Sequence, residues 1–502
     1  MNLVPRLLSR SLLVFSNLSF HRPTAAFNVL LLTLLLGSYA QAARANVLSN
    51  VTSSSVTSTS AMTTWNTSLP STAQVEFGFT TAYGTLSPKD STYSASHSVK
   101  LSGLQPNTTY HFRVLSVSNK GYLTKSNDHA FTTDSSGTPP PSGGTGVPSS
   151  YFGMHMWSQA LPSWPGIGFS QLRLWDSQVA WNQIETSRGS YNWSKFDTWI
   201  SVAQQHNVGL MYAFGHTPSW SNSAGSGTKP PDNLQDWDDF VRAVVTRSAG
   251  RIKVWEIWNE PNASNFWTGT TAQLVTMAQR AYSIIKSVDP NAIVVSAVPQ
   301  GSSAYQWMDG YLAAGGGAYA DVIAFHGYVN PNSVESSLNT LVNNMQSVMA
   351  KYGQQNKPLW NTEASWGQNS NYSDYNAEAS ITARMLLLQY PKVARFYWYG
   401  WDQSTWGTLW WWTGGIRPAG VAYNEVHRWM AGNTMQPCTA SGTVWTCNIT
   451  RPDGSTGKVV WNSAGTSTYN TSYTKYHTIA AGSGGVTGSV PIGTAPKLLD
   501  NN

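Results

Sequence analysis

A regular alternation of strand-like and helix-like segments between residues 151 and 430 limits the possible folds of this chain more than any other feature. Eight short apolar segments read as buried strands. They span residues 152–156, 171–175, 209–215, 254–259, 293–298, 322–326, 359–363 and 396–401. Apolar residues recur at helical spacing between strands, as in Leu274, Met277, Ala278, Ala281, Ile284, Ile285 and Val288.

This alternation predicts an α/β fold, a (β/α)8 TIM barrel over residues 151–430. The length agrees with the usual size of such barrels, which is about 250 residues. A doubly wound sheet would also alternate strands and helices, but no Gly-rich phosphate loop follows an early strand. We therefore predict a closed barrel, in which polar groups at the C-terminal ends of the strands form the functional site.

The residues before the barrel include a leader and a linker. Residues 1–42 combine arginines, a short apolar stretch and Ala40-Gln41-Ala42, which predicts a secretory signal peptide. The apolar stretch is shorter than the ~20 residues of a spanning helix, so an uncleaved anchor is the less favoured alternative. Residues 134–150 are rich in Pro, Gly and Ser, which is typical of a linker.

Residues 46–133 alternate in polarity as the strands of a β-sandwich do. One segment reads L-x-P-x-T-x-Y-x-F-x-V, and its Tyr110, Phe112 and Val114 would share one strand face. Together with Trp65 on an earlier strand, this segment resembles the fibronectin type III domain. The resemblance implies a β-sandwich that serves as a spacer, and a carbohydrate-binding module is the alternative.

The residues after the barrel, 431–502, return to a strand pattern and predict a small β-sandwich appended to it. The two cysteines of the chain, Cys438 and Cys447, lie close together in this segment. Because the leader implies an oxidising compartment, we predict a disulfide between them. Two free buried thiols are the alternative.

The composition favours an extracellular protein that acts on neutral polymers. Charged residues make up 11% of the chain, against roughly 25% in average domains. The chain has 24 tryptophans and a formal net charge of +6, without a dense cluster of Lys and Arg. These features argue against nucleic acid as a partner. We expect a secreted, periplasmic or cell-surface monomer that binds a polysaccharide or oligosaccharide and has no stable membrane insertion.

Two of the predicted strands end in a carboxylate. Glu260 follows Asn259 at the end of the fourth strand, and Glu363 ends the seventh. A carboxylate is costly to bury there without a partner or a role. Glu256 lies deeper in the fourth strand, and we interpret it as a buried, hydrogen-bonded barrel residue. Other strand ends carry further polar or aromatic residues: Arg173, His216, His326, Tyr328 and Trp398.

Two carboxyl groups in different protonation states are what glycoside cleavage requires. One must be an acid that protonates the departing oxygen, and the other must be ionised to attack the anomeric carbon. Closely placed carboxylates repel, so that one pKa rises and the two roles separate. We predict that Glu260 and Glu363 meet across one cleft and hydrolyse a glycosidic bond.

The run from Glu256 to Asn262, followed by Asn265-Phe266-Trp267 and the strand-end Glu363, resembles the clan A glycoside hydrolases and most closely family 39. His326-Gly327-Tyr328 also resembles family 5. The resemblance implies net retention, with Glu260 as the acid/base and Glu363 as the nucleophile. It implies that Asn259 binds the sugar 2-hydroxyl and that Tyr328 orients Glu363.

The same resemblance implies that Arg173 lowers the pKa of Glu363 and that His216 and His326 line the sugar subsite. An internal ion pair of Arg173 with Glu256 or Glu363 is the alternative. Trp398 and two loop tryptophans, Trp267 and Trp366, are candidate sugar-stacking platforms. We expect neither a metal nor a cofactor, since no zinc spacing and no cofactor motif is present.

Three other functions use parts of the same sequence pattern. A non-catalytic glycan-binding protein would not need two strand-end glutamates, and a structural adhesin needs them still less. A transglycosylase would carry the same residues and transfer the sugar to another sugar instead of water.

Overall fold

The computed structural model describes residues 46–54, 56, 60–102, 104, 108–133, 146–157, 164–412 and 414–502. The chain divides into two compact units, residues 1–135 and residues 136–502. The predicted signal peptide at residues 1–42 and most of the predicted linker lie outside the described residues.

The first unit is a β-sandwich, as predicted. Its strands are Leu48–Ser54, Ser60–Gly78, Thr85–Leu86, Asp90–Ser102, Thr109–Val117, Leu123–Lys125 and His129–Thr132. The long strand Ser60–Gly78 pairs with Asp90–Ser102 through its first half and with Thr109–Val117 through its second half, so it joins both sheets. Trp65 and Tyr110 are buried in one core with their apolar neighbours.

The second unit contains the predicted ring of eight parallel strands, with small differences at their ends. We number them β1 (Phe152–His155), β2 (Gln171–Leu174), β3 (Gly209–Ala213), β4 (Val254–Asn259), β5 (Ile293–Val298), β6 (Ile323–His326), β7 (Leu359–Ala364) and β8 (Arg395–Trp398). The sheet order is β5-β4-β3-β2-β1-β8-β7-β6. Backbone hydrogen bonds from Ser296 N to Val322 O and from His326 N to Pro299 O, each 2.9 Å, close the ring between β5 and β6.

Helices follow the strands β2 to β8 and cover the outside of the ring. We number them α1 (Ser194–Gln205), α2 (Leu234–Ser248), α3 (Thr271–Val288), α4 (Ala304–Ala313), α5 (Val334–Lys351), α6 (Tyr375–Gln389) and α7 (Pro418–Met430). The described residues between β1 and β2 contain no helix. Most of these helices turn an apolar stripe towards the strands, because residues three and four positions apart share one face; α6 is buried all round from Glu378 to Gln389.

The inside of the ring contains a separate apolar cluster. Met211, Val295 and Tyr397 belong to this cluster. A side chain at Gly153 would place its Cβ 2.4 Å from the Tyr397 ring, so only glycine fits there. Arg173 is fully buried and points into the ring, where it needs anionic partners.

The C-terminal segment, for which we predicted a small β-sandwich, is a sheet-rich region. Its main sheet contains Thr434–Met435, Thr439–Ser441, Val444–Thr450, Thr456–Asn462, Lys475–Thr478, Ser483–Gly485 and Lys497–Asp500, and a two-stranded sheet pairs Ser467–Asn470 with Ser489–Ile492. Trp461 packs in the barrel's outer core and donates a 2.7 Å hydrogen bond to Glu335 on α5. The predicted disulfide between Cys438 and Cys447 is present. None of the helices that the structure describes is long and apolar enough to cross a membrane.

Candidate active site

The candidate site lies where β4, β6 and β7 end. Asn259 is the last residue of β4, His326 is the last residue of β6, and Glu363 is the penultimate residue of β7. Glu260 follows β4 directly and is 8% exposed. Because the strands are parallel, these ends meet at one rim of the ring.

The two strand-end glutamates face each other at close range. One side-chain oxygen of Glu260, one of Glu363 and one ring nitrogen of His326 all lie within 4.8 Å of one another. Carboxyl groups about 5–5.5 Å apart are typical of retaining glycosidases, whereas inverting enzymes separate them by about 6.5–9.5 Å.

Glu363 accepts hydrogen bonds from two donors. Arg173 Nη1 donates to Oε2 at 2.8 Å, and the Tyr328 hydroxyl donates to Oε1 at 2.9 Å. One donor carries a permanent charge, and both contacts favour the ionised carboxylate.

Glu260 has a different partner and an unusual backbone. Its Oε1 lies 2.7 Å from His326 Nδ1, and its φ of 45° is in the left-handed region that non-glycine residues rarely adopt. Burial lowers the pKa of His326 to about 4, so that the imidazole is neutral at pH 7. Among the described residues Glu260 Oε2 has no protein partner, which leaves this oxygen for a substrate.

Burial raises the pKa of both Glu260 and Glu363 to about 7. The positive charge of Arg173 lowers both pKa values, in the direction that we predicted for Glu363, but the loss of hydration is the larger effect. Two carboxyls that titrate this high and this close together share a proton near neutral pH.

Arg173 forms ion pairs with both Glu256 and Glu363, which the sequence left open as alternative partners. Besides Glu363, it binds Glu256 through Nε and Nη2, and both side chains are fully buried. Its Nη2 also donates to Asn259 Oδ1 at 2.7 Å. This contact orients the amide of Asn259, whose Nδ2 is buried and has no partner among the described residues. A substrate hydroxyl could accept from that donor.

The other predicted residues differ in their access to the cleft. His216 is half-buried just beyond β3 and stacks on Trp175 at 5.0 Å. Trp398 is fully buried and donates to Gly407 O at 2.8 Å. Trp267 is 5% exposed and Trp366 is 3% exposed, so their rings are part of the core in this conformation. Sugar stacking on Trp398, Trp267 or Trp366 is therefore not supported by their burial.

Sequence reasoning missed two residues that border the same rim. The Tyr399 hydroxyl donates to Asp176 Oδ2 at 2.6 Å, and these residues lie just beyond β8 and β2. Both positions could have been found by extending the search for polar side chains two residues past each strand end.

One cluster in the described part of the chain could hold a metal ion: Glu260, His326 and Glu363. A cation there would lie close to the buried guanidinium of Arg173, which already binds Glu363. The predicted absence of a metal stays a prediction.

Two family models match the chain. The fibronectin type III domain matches residues 46–132, and the cellulase family (glycosyl hydrolase family 5) matches residues 145–405, just over half of the chain. The predicted resemblance to a clan A glycoside hydrolase with a fibronectin type III domain is confirmed.

Curated relatives match shorter stretches. An endo-1,4-beta-xylanase B of Thermotoga neapolitana is 25% identical over 130 residues, which are 24% of this chain and 36% of the relative. A beta-xylosidase of Geobacillus stearothermophilus is 28% identical over 172 residues, which are 29% of this chain and 33% of the relative. The chain thus spans about a third of the length of these relatives.

Solved structures share the fold at low sequence identity. A family 39 glycoside hydrolase of Bacteroides cellulosilyticus WH2 has a TM-score of 0.59 at 15% identity, covering 86% of this chain and 94% of that chain. A family 39 beta-xylosidase of Caulobacter crescentus has a TM-score of 0.51 at 16% identity, covering 71% of this chain and 97% of that chain. At this identity the likeness shows the fold.

Proposed function

Since this chain belongs to the cellulase family (glycosyl hydrolase family 5), we propose that it is a secreted, retaining glycoside hydrolase that cleaves β-glycosidic bonds in polysaccharides or oligosaccharides. The observation that carries the proposal is the close approach of Glu260 and Glu363, with an arginine on one and a neutral histidine on the other. Glu260 is the acid/base and Glu363 is the nucleophile.

The reaction follows from the two environments. Glu363 attacks the anomeric carbon while Glu260 gives its proton to the departing glycosidic oxygen, which breaks the C–O bond and forms a glycosyl-enzyme ester. Glu260, now ionised, takes a proton from water, and the hydroxide oxygen displaces Glu363 from the anomeric carbon. Two displacements on one carbon retain its configuration. Asn259 donates its free N–H to the sugar 2-hydroxyl in both steps.

The xylosidic bond is the first substrate to test. The two curated relatives are named as a xylanase and a xylosidase, although each matches less than a third of this chain. The proposed extracellular location rests on the leader at residues 1–42, on the low content of charged residues and on the predicted disulfide, which is present.

A panel of 4-nitrophenyl β-glycosides of xylose, glucose, galactose and mannose tests the proposal. We expect turnover of at least one and a loss of about 10⁴-fold or more in Glu363→Ala, because the nucleophile is gone. Azide should restore turnover and give the β-glycosyl azide in Glu260→Ala and the α-glycosyl azide in Glu363→Ala. Glu76→Gln in the fibronectin unit is the control and should keep wild-type activity. Wild-type protein that binds these sugars without turnover would instead be a glycan-binding protein.

A transglycosylase would use the same two glutamates. Product analysis at high acceptor concentration separates the two reactions, because a hydrolase yields mainly free sugar and a transglycosylase yields longer oligosaccharides.

A further inference from the structure

The inference concerns a third carboxylate at the rim of the barrel, Asp176, and it rests on the proposed function. We propose that Asp176, held by Tyr399, accepts hydrogen bonds from two neighbouring hydroxyls of the sugar whose bond is cleaved, and that it thereby selects substrates that carry both.

The position of Asp176 is the first argument. Asp176 lies two residues beyond β2 and Tyr399 lies one residue beyond β8, and β1 separates these strands in the ring. Their 2.6 Å hydrogen bond therefore spans the end of β1. The ring of Tyr399 packs edge-on against His155, the last residue of β1, at 5.0 Å. The hydrogen bond to Tyr399 thus fixes the position of the Asp176 carboxylate at the rim.

The second argument is that a substrate can reach the carboxylate of Asp176. More than a third of its surface is exposed, yet loss of hydration raises its pKa above the ordinary value. Oδ2 is bound by Tyr399, and Oδ1 has no hydrogen-bond partner among the described residues.

The third argument is the electrostatic cost of the residue. The negative charge of Asp176 contributes to the raised pKa of Glu260 and of Glu363, so the three carboxyl groups are close enough to repel one another. An asparagine could accept the Tyr399 hydrogen bond without the repulsion. A charge in this place is explained by a ligand that donates hydrogen bonds.

Adjacent hydroxyls of a sugar ring are such donors. A carboxylate offers two oxygens with about four acceptor positions, so it can bind two hydroxyls on neighbouring carbons at once. Hydrogen bonds to a charged group are stronger than neutral ones, and a site built to bind a hydroxyl rejects the analogue that lacks it. Asp176 would therefore distinguish sugars by the hydroxyls remote from the cleaved bond.

The test compares Asp176→Asn with the wild type on the aryl β-glycoside that the wild type cleaves best and on its 3-deoxy and 4-deoxy analogues. We expect the wild type to lose about 10- to 100-fold in kcat/KM on at least one analogue. Asp176→Asn should lose a similar factor on the parent glycoside, and its penalty on that analogue should shrink to about threefold or less. Asp239→Asn on α2 removes the same charge from an exposed site and should leave all rates unchanged.

Two outcomes would overturn the inference. Asp176→Asn could keep the full deoxy penalty and shift only the pH profile, which would make Asp176 an electrostatic neighbour of the glutamates without a ligand. It could also behave as the wild type on all three substrates. Calorimetric titration of Glu363→Gln with the same three glycosides repeats the comparison without turnover. If the wild type cleaved none of the glycosides but still bound the parent glycoside more tightly than its deoxy analogues, the proposed hydrolysis would be refuted. The role of Asp176 in binding the hydroxyls would remain supported.

Discussion

The two glutamates of the site receive different roles from their partners. Burial is the largest of the effects that set the pKa of each at about 7. Glu363 is bound by the permanent charge of Arg173 and by Tyr328, whereas Glu260 is bound by a neutral imidazole. Because two charges at this distance repel, the pair keeps one proton near neutral pH. The donors around Glu363 hold its negative charge, so the proton resides on Glu260.

The activity should therefore fall on the basic side of pH 7. Glu260 must be protonated to act as the acid, and its pKa of about 7 places the basic limb of kcat/KM there. On a 2,4-dinitrophenyl glycoside, whose leaving group needs no proton, Glu260→Gln should cleave the first bond without a basic limb. Pre-steady-state release of the phenol at pH 5–9 measures this. A basic limb that persists in Glu260→Gln would assign the titration to another group.

Arg173 is also a structural residue, because it neutralises Glu256 inside the ring. Arg173→Met would leave that carboxylate buried without a cation, and we expect a loss of about 3–5 kcal/mol in the free energy of unfolding. Adding Glu256→Gln should recover a large part of the loss. Urea unfolding followed by tryptophan fluorescence reports on the barrel, since all tryptophans except Trp65 lie beyond residue 150. A double variant no more stable than Arg173→Met would contradict this account.

At the scale of elements, strand ends depart from the strict alternation that sequence reasoning assumes. Glu256 points into the ring, whereas Ile257 and Trp258 both pack in the outer core. Asn259 then returns to the inside and meets Arg173. Alternation with a period of two would have placed Glu256 and Glu260 on one face. The irregular end of β4 decides which polar groups reach the rim.

The disulfide between Cys438 and Cys447 was predicted from the sequence and is present in the structure. The disulfide links the start of Thr439–Ser441 to Val444–Thr450, two strands that already pair. Because the bond restricts the unfolded chain, we expect Cys438→Ser to lower the free energy of unfolding by about 2–3 kcal/mol. Dithiothreitol should destabilise the wild type in denaturant and leave Cys438→Ser unchanged. Equal sensitivity of both proteins to the reductant would exclude this explanation.

At the scale of the whole molecule, each unit has a hydrophobic core of its own. The core of the first unit contains Trp65 and Tyr110, and the core around the barrel is a separate cluster. Units with separate cores can fold independently. The proposed role of the fibronectin unit as a spacer is consistent with this arrangement.

A chain that begins at residue 136 should therefore keep its activity on small substrates. We expect kcat/KM on the aryl glycoside to stay within about twofold of the full chain, since the groups at the rim all belong to the second unit. Binding of both proteins to insoluble polysaccharide is the second measurement. Weaker binding of the truncated chain would identify the fibronectin unit as a carbohydrate-binding module.

The sequence by itself determined the barrel and the two strand-end glutamates, because strand and helix periodicities are local and a parallel ring places every strand end at one rim. The family resemblance named Tyr328 and Arg173 as neighbours of Glu363, but the sequence left open whether Arg173 binds Glu256 or Glu363, and it did not reveal the pair of Asp176 and Tyr399. Arg173 is 190 positions from Glu363 and 223 positions separate Asp176 from Tyr399, so these contacts exist only once the ring closes. The raised pKa values and the burial of Trp267 and Trp366 have the same origin, since both depend on how much water the assembled structure excludes.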